Sequence, residues 1–239
     1  VRRVERDAAS ADSAAGRIDE SIRRSADRDP GFDATECAAR PELTTSIDAC
    51  ADAALVVEAV LEDRVLKEDA LSRVDEVVSA DAVIASNTSS ISIDDLALAR
   101  RRPERFLGLH FFNPVPPSAL VEIVRGSATG PTVIDTAREW VALLGKTPIV
   151  VADSPGFASS RLGVALGLEA IRMLEEGVAS ASDIDAAMTL GHRHPVGPSR
   201  TTDPVGLAVR PGLPQELGQA LGERFEPPAL LRRMVSEGR

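Results

Sequence analysis

Arg105-Phe-Leu-Gly-Leu-His110-Phe-Phe-Asn113-Pro-Val-Pro-Pro-Ser-Ala-Leu-Val-Glu122-Ile-Val124 is the stretch on which the fold turns. An apolar run of strand length ends in a histidine, a turn stiffened by proline follows, and a second apolar run carries one glutamate. Imidazole is the side chain suited to passing a proton near neutral pH. A carboxylate within reach would orient it and favour its charged form. Just upstream, Ala82-Val-Ile-Ala-Ser-Asn87-Thr88-Ser89-Ser90-Ile91 reads as a buried strand that runs into a polar turn. Polar groups at strand ends are where open α/β sheets build their sites.

Outward from this pair, strand and helix signals alternate. Residues 1–5 read as a strand, and Ala11, Ala14, Ala15, Ile18 and Ile22 fall at helical spacing. A strand over 54–60, a helix over 65–78, a strand over 82–86 and a short helix over 93–99 follow. Beyond the Pro-rich turn come a helix over 133–144 and a strand over 147–151. Such alternation with near-continuous apolar strands predicts a parallel sheet covered by helices. From Asp153 the strand signals stop. Helices are predicted over 162–174, over 180–190 with Ser182 as its cap, and over 228–236. Residues 195–214, rich in Pro and Gly, are expected to be irregular or broken helix. The division is placed at residues 1–152 and 153–239.

The 239 residues suffice for a sizeable core, and 44% hydrophobic with 27% charged content is ordinary for a soluble globular chain. A formal net charge of −10 disfavours nucleic acid and anionic membranes as partners. No apolar run approaches the roughly 20 residues needed to cross a bilayer, and no basic-then-apolar leader stands at the start. Cys37 and Cys50 make neither a disulfide framework nor a metal-ligand spacing, so a reducing cytoplasm is expected. His192 and His194 flank Arg193 without a supporting carboxylate or cysteine cluster, and no metal is expected.

Taken alone, His110 and Glu122 would be a satisfied strand-end histidine and an exposed glutamate. Asn87 and Ser89 would be local caps, and Glu62 and Lys67 a solvated helix start. The longer motifs change that reading. SNTSS over 86–90, HFFNPVP over 110–116, LVEIV over 120–124, LGKTPIVVADSPGF over 144–157, HPVGP over 194–198 and LLRRMVSEGR over 230–239 together resemble the 3-hydroxyacyl-CoA dehydrogenases, including the 3-hydroxybutyryl-CoA enzymes.

The resemblance implies an α/β fold, a Rossmann-like sheet domain followed by an all-α C-terminal domain that dimerises, with NAD as cofactor and an acyl-CoA as substrate. It implies that His110 takes the proton of the 3-hydroxyl and that Glu122 orients it. Ser89 would lie beside both nicotinamide and the substrate oxygen, and Asn113 would contact the cofactor. Glu5, at the end of the first strand, would accept from a ribose and favour NAD over NADP. Glu62 and Lys67 match positions near the cofactor, and Ser21 matches a coenzyme-A contact with Arg28 standing where the family often has Lys. Ser160 takes the place of an Asn that holds the acyl thioester.

The family pattern also places a Gly-rich loop before Val1 and a Gly-rich segment after Arg239, and neither motif occurs within these residues. The sheet is therefore expected to be incomplete, short of a central strand. After HPVGP, the Pro204 and Pro211 region is expected to form its helix in pieces. Two further readings stay open: a relative that works as a binding or interaction module, and a dehydrogenase of the same superfamily acting on another hydroxy acid.

Overall fold

The structure, a computed structural model, describes residues 1–199 and 212–237. Its strands are β1 (Arg2–Val4), β2 (Glu42–Thr44), β3 (Leu55–Glu58), β4 (Val83–Ser86), β5 (Phe106–Phe111), β6 (Leu120–Arg125) and β7 (Thr147–Ala152). Its helices are α1 (Ala8–Arg28), α2 (Ala34–Ala39), α3 (Arg64–Val77), α4 (Ile93–Ala97), α5 (Pro131–Leu143), α6 (Ser159–Glu175), α7 (Ala181–Ala186), α8 (Gly212–Leu221) and α9 (Ala229–Ser236). Local chemistry fixes many of the starts. Asp7, Asp33, Asp63 and Ser92 each accept from the backbone N–H three residues on, satisfying a donor that the first helical turn leaves unpaired.

Five strands form one sheet in the order β3-β4-β5-β6-β7, and β1 pairs in parallel with β2 as a separate two-stranded sheet. Val4 of β1 and Val56 of β3 pack against the same core, so the two sheets flank one apolar interior without a ladder between them. The ladders β3–β4, β4–β5 and β6–β7 are parallel, but β5–β6 is antiparallel. The sheet is thus parallel-dominated, as expected, and the direction of β6, which the sequence reading left open, is the exception. A parallel partner needs a crossover of a dozen or more residues, usually a helix, and residues 112–119 with their three prolines cannot supply one.

Alternation along each strand then sorts the side chains onto two faces. Val83, Ala85, Leu107, Leu109, Val121 and Ile123 point to the core shared with α5. Ile84, Phe106 and Val124 point to the core shared with α3 and α4. By the same parity, Glu58, Ser86, His110 and Glu122 fall on the α3–α4 side. Polar groups from four strands are thereby gathered on one face, at the carboxyl ends of β3, β4 and β5.

Beyond β7, every regular element among the described residues is helical, and Val164, Leu168, Leu217, Phe225 and Leu231 make a further core. Two readings of this part are corrected. Ser180, not Ser182, caps α7, accepting from the Asp183 N–H, and a π-helical turn over Ala187–Gly191 continues it. Residues 212–221 are regular helix, because Pro214 falls in the first turn, where its missing N–H costs nothing. The region of Pro204 and Pro211 lies outside the described residues. The sequence reading missed α2 and β2, both short and mostly polar or exposed.

Candidate active site

Antiparallel register sets His110 directly opposite Glu122. The imidazole Nδ1 lies 2.7 Å from Glu122 Oε2, with His110 only 5% exposed and Glu122 fully buried. Phe112 and Phe157 enclose the ring, with centroids at 4.6 and 5.7 Å. Gly108, two residues before the histidine, permits this packing. A Cβ there would stand 2.8 Å from Val124 Cβ and 3.0 Å from Ile93 Cδ1.

Glu122 carries more than the histidine. Its Oε2 also accepts from Ser159 Oγ at 2.8 Å, and its Oε1 accepts from the backbone N–H groups of Ser159 at 2.9 Å and Ala158 at 3.3 Å. These are the unpaired donors at the start of α6, whose Ala158 N-cap has no side chain to offer. A carboxylate from β6 thus caps a helix from the following segment and sits at the positive end of its dipole. The backbone reaches this position through two successive left-handed residues, Gly156 at φ 72° and Phe157 at φ 50°. Burial pushes the Glu122 carboxyl up, and the hydrogen bonds from His110 and Ser159 outweigh it, holding it below the ordinary carboxylate range. The ionised carboxylate needs the Nδ1 proton, which leaves Nε2 as the nitrogen available for proton exchange.

A second network ends on the polar turn. Lys67, 1% exposed, donates to Glu58 Oε1 at 2.9 Å and to the Val60 carbonyl at 3.2 Å, and pairs with Glu62 Oε2 at 3.3 Å. Glu58 Oε2 accepts from Ser86 Oγ at 2.6 Å. Glu62 Oε1 accepts from Thr88 Oγ1 and from the N–H groups of Ser89 at 2.9 Å and Ser90 at 3.0 Å. Burial raises the Glu62 carboxyl, but Thr88, Lys67 and Ser89 outweigh it and keep it below its usual range. Asn87 Oδ1 accepts from the Phe111 N–H at 2.9 Å, tying this turn to the end of the histidine strand. Lys146 Nζ donates to the Val115 carbonyl at 2.7 Å and to that of Ser118, anchoring the Pro-rich turn, whose Asn113–Pro114 peptide is cis.

The residues singled out in the sequence thus divide. His110, Glu122, Ser89, Glu62 and Lys67 fall in these two networks. The Lys67 ammonium is engaged internally, so it reaches a ligand only through Glu62 and the turn. Asn113 is exposed at the start of the Pro-rich turn, and Ser160 is half-buried in the first turn of α6. Glu5 is engaged by Arg3 Nε at 2.8 Å, while Ser21 and Arg28 lie on α1. Among the described residues, no hydrogen bond or ion pair joins these three to the dyad. Glu58 and Ser159 were missed. A glutamate closing an apolar strand is the only local sign of the first, and Ser159 is one of two serines in a helix start.

Ser89 follows β4 and Asn113 follows β5, so both stand in loops at the same end of the parallel β4–β5 pair as His110. Among the described residues, no cluster of three or more His, Cys, Asp or Glu could hold a metal, and no helix is long and apolar enough to cross a membrane.

The chain is similar to known proteins along nearly its whole length. Residues 1–154 match the family model of the 3-hydroxyacyl-CoA dehydrogenase NAD binding domain, and residues 156–239 match that of the 3-hydroxyacyl-CoA dehydrogenase C-terminal domain. A probable 3-hydroxybutyryl-CoA dehydrogenase of Deinococcus radiodurans is 39% identical over 229 residues, covering 95% of this chain and 82% of that protein. A 3-hydroxybutyryl-CoA dehydrogenase of Mycobacterium tuberculosis is 42% identical over 199 residues, covering 82% of this chain and 70% of that one. The crystal structure of (S)-3-hydroxybutyryl-CoA dehydrogenase from Ralstonia eutropha superposes with a TM-score of 0.93 at 36% identity, over 100% of this chain and 85% of that one. A buried imidazole–carboxylate pair beside a polar turn at the ends of parallel strands, with both family models matched in order, shows that the chain belongs to the 3-hydroxyacyl-CoA dehydrogenases, NAD-dependent oxidoreductases.

Proposed function

We propose that this chain oxidises the 3-hydroxyl of a short 3-hydroxyacyl-CoA to the 3-oxo product, with His110 and Glu122 as the acid/base pair. The observation that carries the assignment is the buried 2.7 Å contact between His110 Nδ1 and Glu122. Glu122 stays an anion, holds the imidazole with its Nε2 outward, and stabilises the imidazolium that forms when Nε2 takes the hydroxyl proton. Such proton transfer contributes about 10²–10⁴ in rate. Ser89 donates to the reacting oxygen from a turn that Glu62 holds in place, and Asn113 contacts the cofactor across the opening of the site. NAD, when bound, supplies the hydride acceptor at C3. Phe112 and Phe157 keep bulk water from the ring.

The assignment extends to the rest of the chain. Residues 1–152 form the cofactor-binding part, with Glu5 towards the adenosine ribose, and residues 153–239 form the substrate and dimerisation part. Ser160 takes the thioester end, and Ser21 and Arg28 take the coenzyme-A moiety. The homodimer is supported by Leu162 and Leu166, which stand one turn apart on α6 at 64% and 41% exposure. A cytoplasmic setting is supported by Cys37 and Cys50 remaining free thiols. Ser160, shorter than Asn and without an amide fork, favours one second reading, the same chemistry on a hydroxy acid other than an acyl thioester.

The test is turnover of acetoacetyl-CoA with NADH by the wild type and by His110→Gln. Loss of about 10²-fold or more in kcat is expected for the variant, and unchanged turnover would overturn the base assignment. Preference for an oxidised sugar acid over acetoacetyl-CoA would favour the second reading.

A further inference from the structure

We propose that Ser159 is a positioning residue that fixes the Glu122 carboxylate, divides Oε2 between two donors, and so sets how firmly His110 holds its proton. The inference rests on the reading of His110 and Glu122 as the acid/base pair. Ser159 contributes two of the four donors on that carboxylate, its hydroxyl at 2.8 Å and its N–H at 2.9 Å. The hydroxyl falls on Oε2, the same oxygen that faces the imidazole. Two donors on one carboxylate oxygen share its charge, so each is held less firmly than a lone donor would be. Without the hydroxyl, Oε2 would bear its charge against His110 alone, the Nδ1–H bond would strengthen, and the imidazolium would be held more firmly. The carboxylate would also lose one of the anchors that fix its rotamer, and the ring its orientation.

The surroundings leave this role to Ser159. Arg161 stands in the first turn of α6, where the described structure gives it no bond to the pair. Lys146 is engaged by carbonyls of the Pro-rich turn. Lys67, Glu58 and Glu62 close on one another. Across α4, Asp94 accepts from Ser127, Asp95 pairs with Arg64, and Asp153 accepts from Ser92. Arg125 lies at the far end of β6. Among the described residues no third titratable group bonds to His110 or Glu122, so the donor that tunes the carboxylate is the neutral hydroxyl at the start of α6.

The experiment compares wild type with Ser159→Ala, Ser159→Thr and Ser159→Val. Thr and Val differ only in hydroxyl against methyl, so this pair decides the matter even if Ala perturbs folding. The first readout needs no cofactor: the proton NMR resonance of His110 Nδ1–H, assigned by its loss in His110→Gln. It is expected to move downfield in the Ala and Val variants and to stay at the wild-type position with Thr. In turnover, Ala and Val should lower kcat about tenfold, the worth of one hydrogen bond to a charged group. KM should change little, and the acid limb of the kcat/KM profile should move to higher pH. An unmoved resonance in the Val variant, or an unmoved acid limb with Val and Thr alike, would overturn the proposal. Absence of turnover in the wild type would instead sink the proposed function, and the resonance would still judge Ser159.

Discussion

At the scale of single residues, His110 and Glu122, the proposed acid/base pair, stand 2.7 Å apart and are fixed there by a group distant in sequence. His110 ends an apolar run and Glu122 interrupts one, so each is conspicuous where it stands. Ser159 reaches Glu122 across 37 positions of sequence, and such a contact leaves no local trace. Glu58 escaped for the same reason, because its partners lie nine positions on at Lys67 and 28 on at Ser86. The Glu122 assignment makes a prediction of its own. Its carboxyl is held below the ordinary range, so its contribution to stability is complete above the unfolded carboxylate value of about 4.3 and is lost as pH falls through the folded value. Glu122→Gln sets an amide among four donors and should lower unfolding free energy at neutral pH by about 1–3 kcal/mol. The gap to wild type should narrow in acid, as the wild type forfeits what the variant never had. Urea titrations at neutral and acid pH measure it, and a gap that stays constant with pH would count against the ionised carboxylate. The same variant should lose on the order of 10²-fold in kcat.

At the scale of elements, periodicity indicated the strands of the five-stranded sheet and the long helices other than α8, within a few residues, because burial on one or two faces leaves a pattern. It gave neither α2 nor β2, whose short, half-exposed segments leave almost none. It also left the direction of β6 open, which was decided by the length of the Pro-rich link. Two element-level features are open to test. Lys67 joins α3 to β3 through an ion pair with Glu58 in which both side chains are nearly fully buried. Breaking a pair of this kind strands a charge in the interior, at a cost of about 3–5 kcal/mol. Lys67→Met should therefore lose that much in urea unfolding, and Glu58→Gln combined with it should recover part of the loss. A double variant as unstable as the sum of the singles would show that the two do not act as a pair. Gly108 allows β5, β6 and Ile93 to close under the histidine. Gly108→Ala should cost about 1–3 kcal/mol by overpacking, and a thermal midpoint equal to wild type would show that the strands have room to part.

At the scale of the whole molecule, the site belongs to neither half of the chain alone. The sheet supplies the imidazole and the carboxylate, and the start of the helical region supplies three of the four donors that hold the carboxylate. Seating α6 on β6 is thus what completes the hold on the carboxylate, and whatever steadies α6 steadies Glu122. That gives weight to the apolar side chains that α6 leaves exposed. Leu162 and Leu166 cannot reach the core that Val164 and Leu168 occupy, because positions two apart on a helix point to different faces. If a second copy covers them, Leu166→Glu should move the chain from the mass of a dimer to that of a monomer in sedimentation velocity at micromolar concentration. Leu143→Glu, on α5 at a more exposed site, should not. Because α6 carries Ser159 at its first residue, the dissociated Leu166 variant should also turn over more slowly than wild type at the same pH. Monomeric wild type would remove α6 as the contact, and a dissociated variant with full kcat would show that α6 keeps its seat on β6 without a partner.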